Sequence, residues 1–234
     1  MISNELTSFI LQSKKGGIRS GKDNARNEVT KSFFQFFMEN GISRPAMLTL
    51  PSAWWKFEKK MNERIFKGRD KFKINRRVYV GCELDWKIFS LASIRIPLRG
   101  NRMIRQKLNE ELNCQVVTNG DDHLIINTDI FGFMKSNGPS NDSERKKRFH
   151  GIWLDLTQPV DRFYDKLINI GSAAQPACIV VITFLKGREV NGMHTNRTQV
   201  IDREMESIGF APTHSLEYND GSPMIQLTYQ RIVN

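Results

Sequence analysis

Four acidic side chains stand where apolar runs stop. Asp155 follows Gly-Ile-Trp-Leu at the end of residues 151–155, Glu83 and Asp85 follow Val-Tyr-Val-Gly-Cys, and Asp129 lies in the β-rich run 123–130. Lys186 opens the charged exit Lys-Gly-Arg-Glu from the unbroken apolar run 177–185. An ionised carboxylate is purely an acceptor, so at a strand end it offers itself to hydroxyl or N–H donors. In an open α/β sheet, ligands bind in the crevice outside the carboxyl ends of the strands. Asp155, carried by residues 151–159, is therefore the first candidate for a site residue.

A second group of residues points to a polyanion. The 234 residues carry a net charge of +10, and residues 56–77 alone hold ten Lys/Arg against three Asp/Glu, interleaved with Phe66 and Phe72. Phosphate neutralisation and counterion release reward such a surface. Lys59, Lys60, Arg64, Lys67, Arg69, Lys71 and Lys73 are the candidate nucleic-acid contacts here, with Arg145, Lys146, Lys147 and Arg148 as a second cluster. Gly21-Lys22 is followed by Asp23, with no strand before it, and so departs from a phosphate-binding P-loop. The four histidines and three cysteines show no paired ligand spacing, so no metal site is expected, and the thiols suit a reducing compartment.

These residues need elements to hold them. Val29, Phe33, Phe36 and Phe37 recur at helical spacing over 25–40, after a basic glycine-containing loop at 13–24. Residues 44–52 read as a buried strand, and 53–66 as a helix with Trp54, Phe57, Met61 and Ile65 on one face. A strand over 77–85, helices over 86–95 and 101–112, and strands over 114–117 and 123–130 follow. The strand carrying Asp155 leads to a helix over 160–171, the strand 177–185 and a helix over 197–208. Two β-runs, 213–219 and 224–232, flank Asp220-Gly221, a strong hairpin signal. The expected fold is α/β: a Rossmann-like, mostly parallel sheet with helices on both faces and a C-terminal antiparallel hairpin strand. The expected organisation is an N-terminal helical extension over 1–40 and an α/β domain over 41–234.

That order of elements, over roughly residues 40–232, resembles the class I S-adenosylmethionine-dependent methyltransferase fold. The resemblance implies S-adenosylmethionine as cofactor. It implies that Glu83 or Asp85 receives the ribose hydroxyls, that Asp129 lies near the adenine, and that Asp155 positions the methyl acceptor. The first-strand turn Thr49-Leu50-Pro51-Ser52 stands where the family has a glycine-rich loop, which makes Leu50, Pro51 and Ser52 the corresponding cofactor contacts and the chain a divergent member. Asp155 is followed by Leu-Thr-Gln-Pro and not by the Pro-Pro-aromatic sequel of base-amino methyltransferases. Lys31, Asp155, Lys186 and Glu217 occur in the chain order of the Lys-Asp-Lys-Glu tetrad of ribose 2′-O-methyltransferases. In that tetrad a lysine lowers the effective pKa of the target hydroxyl, which makes Lys186 a second catalytic candidate.

Two functions follow. The first is an S-adenosylmethionine-dependent methyltransferase acting on DNA or RNA. The second is a relative of the same fold that has lost the cofactor and binds nucleic acid, alone or as a subunit of a larger complex. The start lacks a basic n-region and an apolar run, and no stretch approaches the ~20 apolar residues of a membrane helix, so a soluble, cytoplasmic protein is expected, with a viral or plasmid origin fitting equally.

Overall fold

A computed structural model describes residues 20–50, 56–68, 74, 78–85, 88–89, 92, 104–108, 114–118, 123–136, 148–156, 158–186, 197–219 and 221–231. Helix α1 (Ser20–Glu39) leads into strand β1 (Ala46–Thr49), helix α2 (Lys56–Lys67) and strand β2 (Val78–Cys82). Strands β3 (Ile104–Leu108), β4 (Cys114–Thr118) and β5 (His123–Ile126) come next, then helix α3 (Ile130–Ser136) and strand β6 (Phe149–Asp155). Two 3₁₀ turns (Val160–Arg162 and Tyr164–Lys166) and the short helix α4 (Asn169–Ala173) lead to strand β7 (Ala174–Leu185). Helix α5 (Arg197–Ser207) and the hairpin β8 (Phe210–Asn219) and β9 (Pro223–Arg231) complete the described elements.

One sheet holds all nine strands in the order β3-β4-β5-β2-β1-β6-β7-β9-β8. Its centre, β5-β2-β1-β6-β7, is parallel, and the C-terminal β8–β9 hairpin joins β7 antiparallel. An antiparallel pair, β3–β4, extends the β5 edge. The strands alternate as a two-sided sheet requires. Leu48, Val80, Ile152, Leu154, Val180 and Ile182 pack on one face with α3, α4 and α5. Met47, Tyr79, Trp153, Ile179 and Val181 pack on the other with α1 and α2.

Helix α1 is a core element, not an extension of the α/β domain: Val29, Phe33 and Phe37 are completely buried against the sheet. Its close seating depends on Gly151. A Cβ there would stand 2.7 Å from Phe33 Cε2 and 3.2 Å from Phe37 Cζ, so the rings occupy the space of the missing side chain. Gly41 (φ 64°) closes α1, with Ile42 N–H donating to Phe37 O and Gly41 N–H to Met38 O, the pattern of a Schellman cap.

Four expectations about the elements change. The β-run expected over 123–130 stops at Ile126, and Ile130 opens helix α3 instead. Residues 104–108 form a strand, not part of a helix over 101–112. Met103, Leu108 and Leu112 fit a helical repeat, but backbone pairing of Ile104–Leu108 with Cys114–Thr118 decides the conformation. The helix expected over 160–171 divides into two 3₁₀ turns and α4, with Pro159 at the first N-cap. The loop expected over 13–24 ends earlier: α1 begins at Ser20 and takes in Gly21, Lys22 and Asp23. A Cβ on Gly21 would overlap the Asn219 carbonyl oxygen, so glycine here serves close approach of α1 to the β8–β9 hairpin.

Candidate active site

In the parallel centre the chain runs outward from β1 through β2 to β5, then returns to lay β6 and β7 on the other side of β1. The topological switch point therefore lies between β1 and β6, where a crevice opens at the carboxyl ends. Asp155, the last residue of β6, stands at that point. Trp153 of the same strand packs on the α1–α2 face, and by alternation Asp155 points the same way, toward the first turn of α1. Lys22 Nζ meets Asp155 Oδ2 at 3.1 Å, with only 18% and 14% of the two side chains exposed. Asp155 Oδ1 is buried and has no hydrogen-bond partner. A buried carboxylate oxygen without a donor is costly, so an incoming hydroxyl or N–H group is its natural complement.

A second carboxylate lies beside the end of β1. Glu58 of α2 is 1% exposed; Thr49 Oγ1 donates to its Oε1 at 2.8 Å, while Oε2 is buried without a partner. Burial pushes its pKa up to about 7, opposed by backbone and Thr49 hydrogen bonds and by the Arg26 and Lys59 charges. Arg26 is itself 4% exposed and donates to Asp23 Oδ1 at 2.8 Å. Lys22, Arg26, Thr49 and Glu58 are residues that sequence reasoning missed. One signal was present: Glu58 shares the buried face of α2 with Met61 and Ile65, where an apolar residue is expected.

At the end of β2, Glu83 and Asp85 separate in role. Burial raises the Glu83 pKa to about 7, opposed by hydrogen bonding from the Asp85 N–H and reinforced by the Asp85 charge. Asp85 Oδ1 accepts from Ile88 N–H at 3.2 Å, a capping contact. Asp129 likewise caps α3, its Oδ2 accepting from Gly132 N–H at 2.8 Å. Asn127 Nδ2 donates to Glu83 O at 2.8 Å and ties the end of β5 to the end of β2. Leu50 is half-buried after β1; Pro51 and Ser52 lie outside the described residues.

Lys186 and Glu217 meet on the other side of Asp155. Lys186 Nζ donates to Glu217 Oε2 at 2.5 Å, and Lys186 N–H donates to Pro223 O. The ladder sets their level: Asp155 pairs with Thr183, Phe184 with Ile225, and Ile225 with Glu217. Lys186, Glu217, Tyr218, Pro223 and Met224 line a cleft of about 400 Å³. Lys31 does not join them. It sits farther along α1, more than half exposed, 3.9 Å from Glu28, and Lys22 holds the place beside Asp155 instead.

The basic candidates divide. Lys60 donates to Asp23 O and Asn27 Oδ1, and Arg64 donates to Thr30 Oγ1, so both fasten α2 to α1. Lys59 and Lys67 are exposed on α2. Arg148 is exposed just before β6, at the opposite end of that strand from Asp155 and roughly 20 Å away, and so belongs to a different surface. Arg69, Lys71, Lys73, Arg145, Lys146 and Lys147 lie outside the described residues. Cys82 and Cys178 are buried. Among the described residues no helix is long and apolar enough to cross a membrane.

No protein-family model and no curated protein sequence matches this chain. Solved structures do. A Streptococcus mutans protein assigned as a SAM-dependent methyltransferase superposes with a TM-score of 0.55 at 10% identity, over 92% of this chain and 50% of that one. Magnesium protoporphyrin IX methyltransferase (ChlM) from Synechocystis PCC 6803 with bound SAH gives 0.50 at 9% identity, over 88% and 83%. Trm1 from Pyrococcus horikoshii with S-adenosyl-L-methionine gives 0.50 at 12% identity, over 88% and 54%. The chain thus spans about half the length of the first and third of these. At such identities the likeness is one of fold: this chain has the class I S-adenosylmethionine-dependent methyltransferase fold.

Proposed function

We propose that this chain is an S-adenosylmethionine-dependent methyltransferase that acts on nucleic acid, with a ribose hydroxyl as the acceptor. The observation that carries this reading is the largely buried Lys22–Asp155 pair at the switch point, with an unpartnered Asp155 Oδ1 and the Lys186–Glu217 pair at the neighbouring strand end. The residues present suit the cofactor. Glu83, a perturbed carboxylate at the end of β2, would take the ribose hydroxyls, and Leu50 and Asp129 would border the same crevice. When bound, the cofactor supplies an electrophilic methyl group.

The chain's own residues handle the acceptor. Asp155 Oδ1 receives the hydrogen bond of the incoming hydroxyl, fixes its oxygen at the switch point and takes its proton as the oxygen–methyl bond forms. Lys22 holds the carboxylate through Oδ2 and places a positive charge beside the oxygen, favouring its deprotonated form. Lys186, paired with Glu217, stands at the end of the neighbouring strand β7, where an incoming acceptor could draw on its ammonium. A hydroxyl acceptor needs this charge because it must lose a proton to become a strong nucleophile. A base amino group calls for a different sequel to Asp155. Orientation supplies much of the remaining rate.

A binding-only function is the second reading, and the turn Thr49-Leu50-Pro51-Ser52 favours it. Without glycine the backbone approaches a ligand less closely, and Pro51 removes one donor. Calorimetry with S-adenosylmethionine, followed by transfer of labelled methyl to an RNA oligonucleotide and to its 2′-deoxy counterpart, separates the two. Heat of binding and label on RNA alone are expected. No heat and no label at millimolar cofactor would leave the binding-only reading. Label on the deoxy strand would remove the ribose hydroxyl as acceptor.

A further inference from the structure

Helices α1 and α2 both start at the carboxyl edge of the sheet and run down the same face, and a groove opens between them. Asn27, Thr30 and Phe34 of α1 and Lys60, Arg64 and Lys67 of α2 line its volume of about 440 Å³, with Glu63 as the one lining carboxylate among the described residues. Lys56, Lys60, Arg64 and Lys67 recur at i, i+4, i+8 and i+11, and so form a stripe on one side of α2 about 16 Å long. From this arrangement we infer that the α1–α2 groove is the track on which a single strand of nucleic acid lies as it enters the site at Asp155. The inference rests on the nucleic-acid reading above and names the surface that serves it.

Three observations carry it. The first is charge. Lys60 and Arg64 are held by neutral acceptors, the Asp23 and Asn27 oxygens and the Thr30 hydroxyl, so they are fixed in place with their charge largely uncompensated. Phosphate oxygens are the complement of such a row. The crowding continues to the site end, where burial and the Arg26, Lys22 and Lys60 charges hold the Lys56 ammonium below the usual lysine range, with Asp23 opposing. The second is continuity. Lys60 contacts Asp23, whose chain neighbour Lys22 touches Asp155, so the groove begins where the ion pair ends. The third is lining. A groove of this volume is of small-ligand size, enough for individual nucleotides. Phe34 on its wall offers an aromatic surface for a base. A basic groove with aromatic surfaces is how single strands are held without sequence readout.

The test uses the full chain and fluorescence anisotropy with a labelled single-stranded RNA, the same RNA as a duplex, and polyglutamate as competitor. The expected result is salt-dependent binding of the single strand, tighter than the duplex and little affected by polyglutamate. Lys67→Gln, an exposed change, flattens the slope of log affinity against log salt by about 0.7, and Arg64→Gln with Lys67→Gln by about 1.4, with affinity reduced about tenfold. Thermal melting checks that the double variant, which loses the Arg64–Thr30 tie, is still folded. Duplex bound as tightly as single strand, polyglutamate displacing the strand, or a Lys67→Gln slope equal to that of the parent would each overturn the groove. Failure of the methyl-transfer reading looks different: no label is transferred, yet the parent still binds the strand and the variants still lose it.

Discussion

The two faces of the sheet are built from different materials. The face under α3, α4 and α5 is packed mainly with Leu, Ile, Val and Phe side chains; among the described residues its buried polar groups are few, chiefly Arg197 and the Tyr229 hydroxyl, which donates to Asp202 Oδ1 at 2.7 Å. The face under α1 and α2 buries as many aromatic rings, yet Arg26, Thr30, Thr49, Glu58, Thr183, Gln226 and Thr228 lie buried among them. Trp153 shows the mixture in one residue: its ring packs on Phe57 at 4.7 Å between centroids, and its Nε1–H donates to Thr183 Oγ1 at 3.2 Å. Burying polar groups has no stability advantage over burying apolar ones of the same shape. The difference therefore goes with the placing of the candidate site on the α1–α2 face.

The largest expected break in that comparison comes from Asp155→Ala. Methyl transfer should fall by roughly 10²–10³-fold or more, the scale of removing one preorganised catalytic contact, while the unfolding midpoint in denaturant moves little. Transfer at the parent rate would remove Asp155 from the site. Ile182→Ala tests the opposite face. Ile182 is completely buried under the α3–α5 layer, and truncation should lower stability by about 2–5 kcal/mol while leaving cofactor affinity of the folded fraction unchanged.

Glu58→Gln sharpens the comparison through pH. The folded-state pKa of Glu58, about 7, lies above its unfolded value near 4.5, so the native protein binds more protons than the unfolded chain between those values. Its contribution is complete below about pH 4.5 and lost as pH rises through 7, by about 3 kcal/mol in all. Unfolding free energies measured from pH 5 to 8 should fall in the parent and fall less in Glu58→Gln, whose amide keeps the shape of the protonated acid. Glu83, shifted in the same direction, leaves a residual slope in the variant. Equal slopes would show that Glu58 is ionised throughout. The smallest effect is expected from Gly151→Ala, where the new methyl presses on Phe33 and Phe37. Stability should drop by about 1–3 kcal/mol. Because α1 also carries Lys22, transfer should fall with it, and unchanged transfer would disconnect helix seating from the ion pair.

Several of these elements are legible in the sequence for local reasons. The apolar run of β7 is long and unbroken, Asp220-Gly221 fixes the final hairpin, and the phenylalanines of α1 repeat with the helix. Residues 104–108 were not legible, because five residues with apolar ends suit either period and only the partner strand β4 selects one. Glu83, Asp85 and Asp129 can be found as acids at strand ends, but the sequence gives them equal standing. The hydrogen bonds that make Asp85 and Asp129 caps, and the burial that perturbs Glu83, exist only after folding.

By itself the sequence determined the alternation of strands and helices, the reversed C-terminal hairpin and the placing of Asp155 at the end of an apolar strand. Those features depend on neighbours in the chain. Tertiary structure decided which lysine meets Asp155. Lys31 and Lys22 lie on the same helix, and chain order favours neither; Gly151 lets α1 settle on β6, Gly21 lets its first turn meet the hairpin carbonyl of Asn219, and Lys22 then falls 3.1 Å from the carboxylate. It also decided that Glu58, one acid within a basic run, is buried beside Thr49 instead of solvated, because that charge is read by the packing around it and not by its place in the chain.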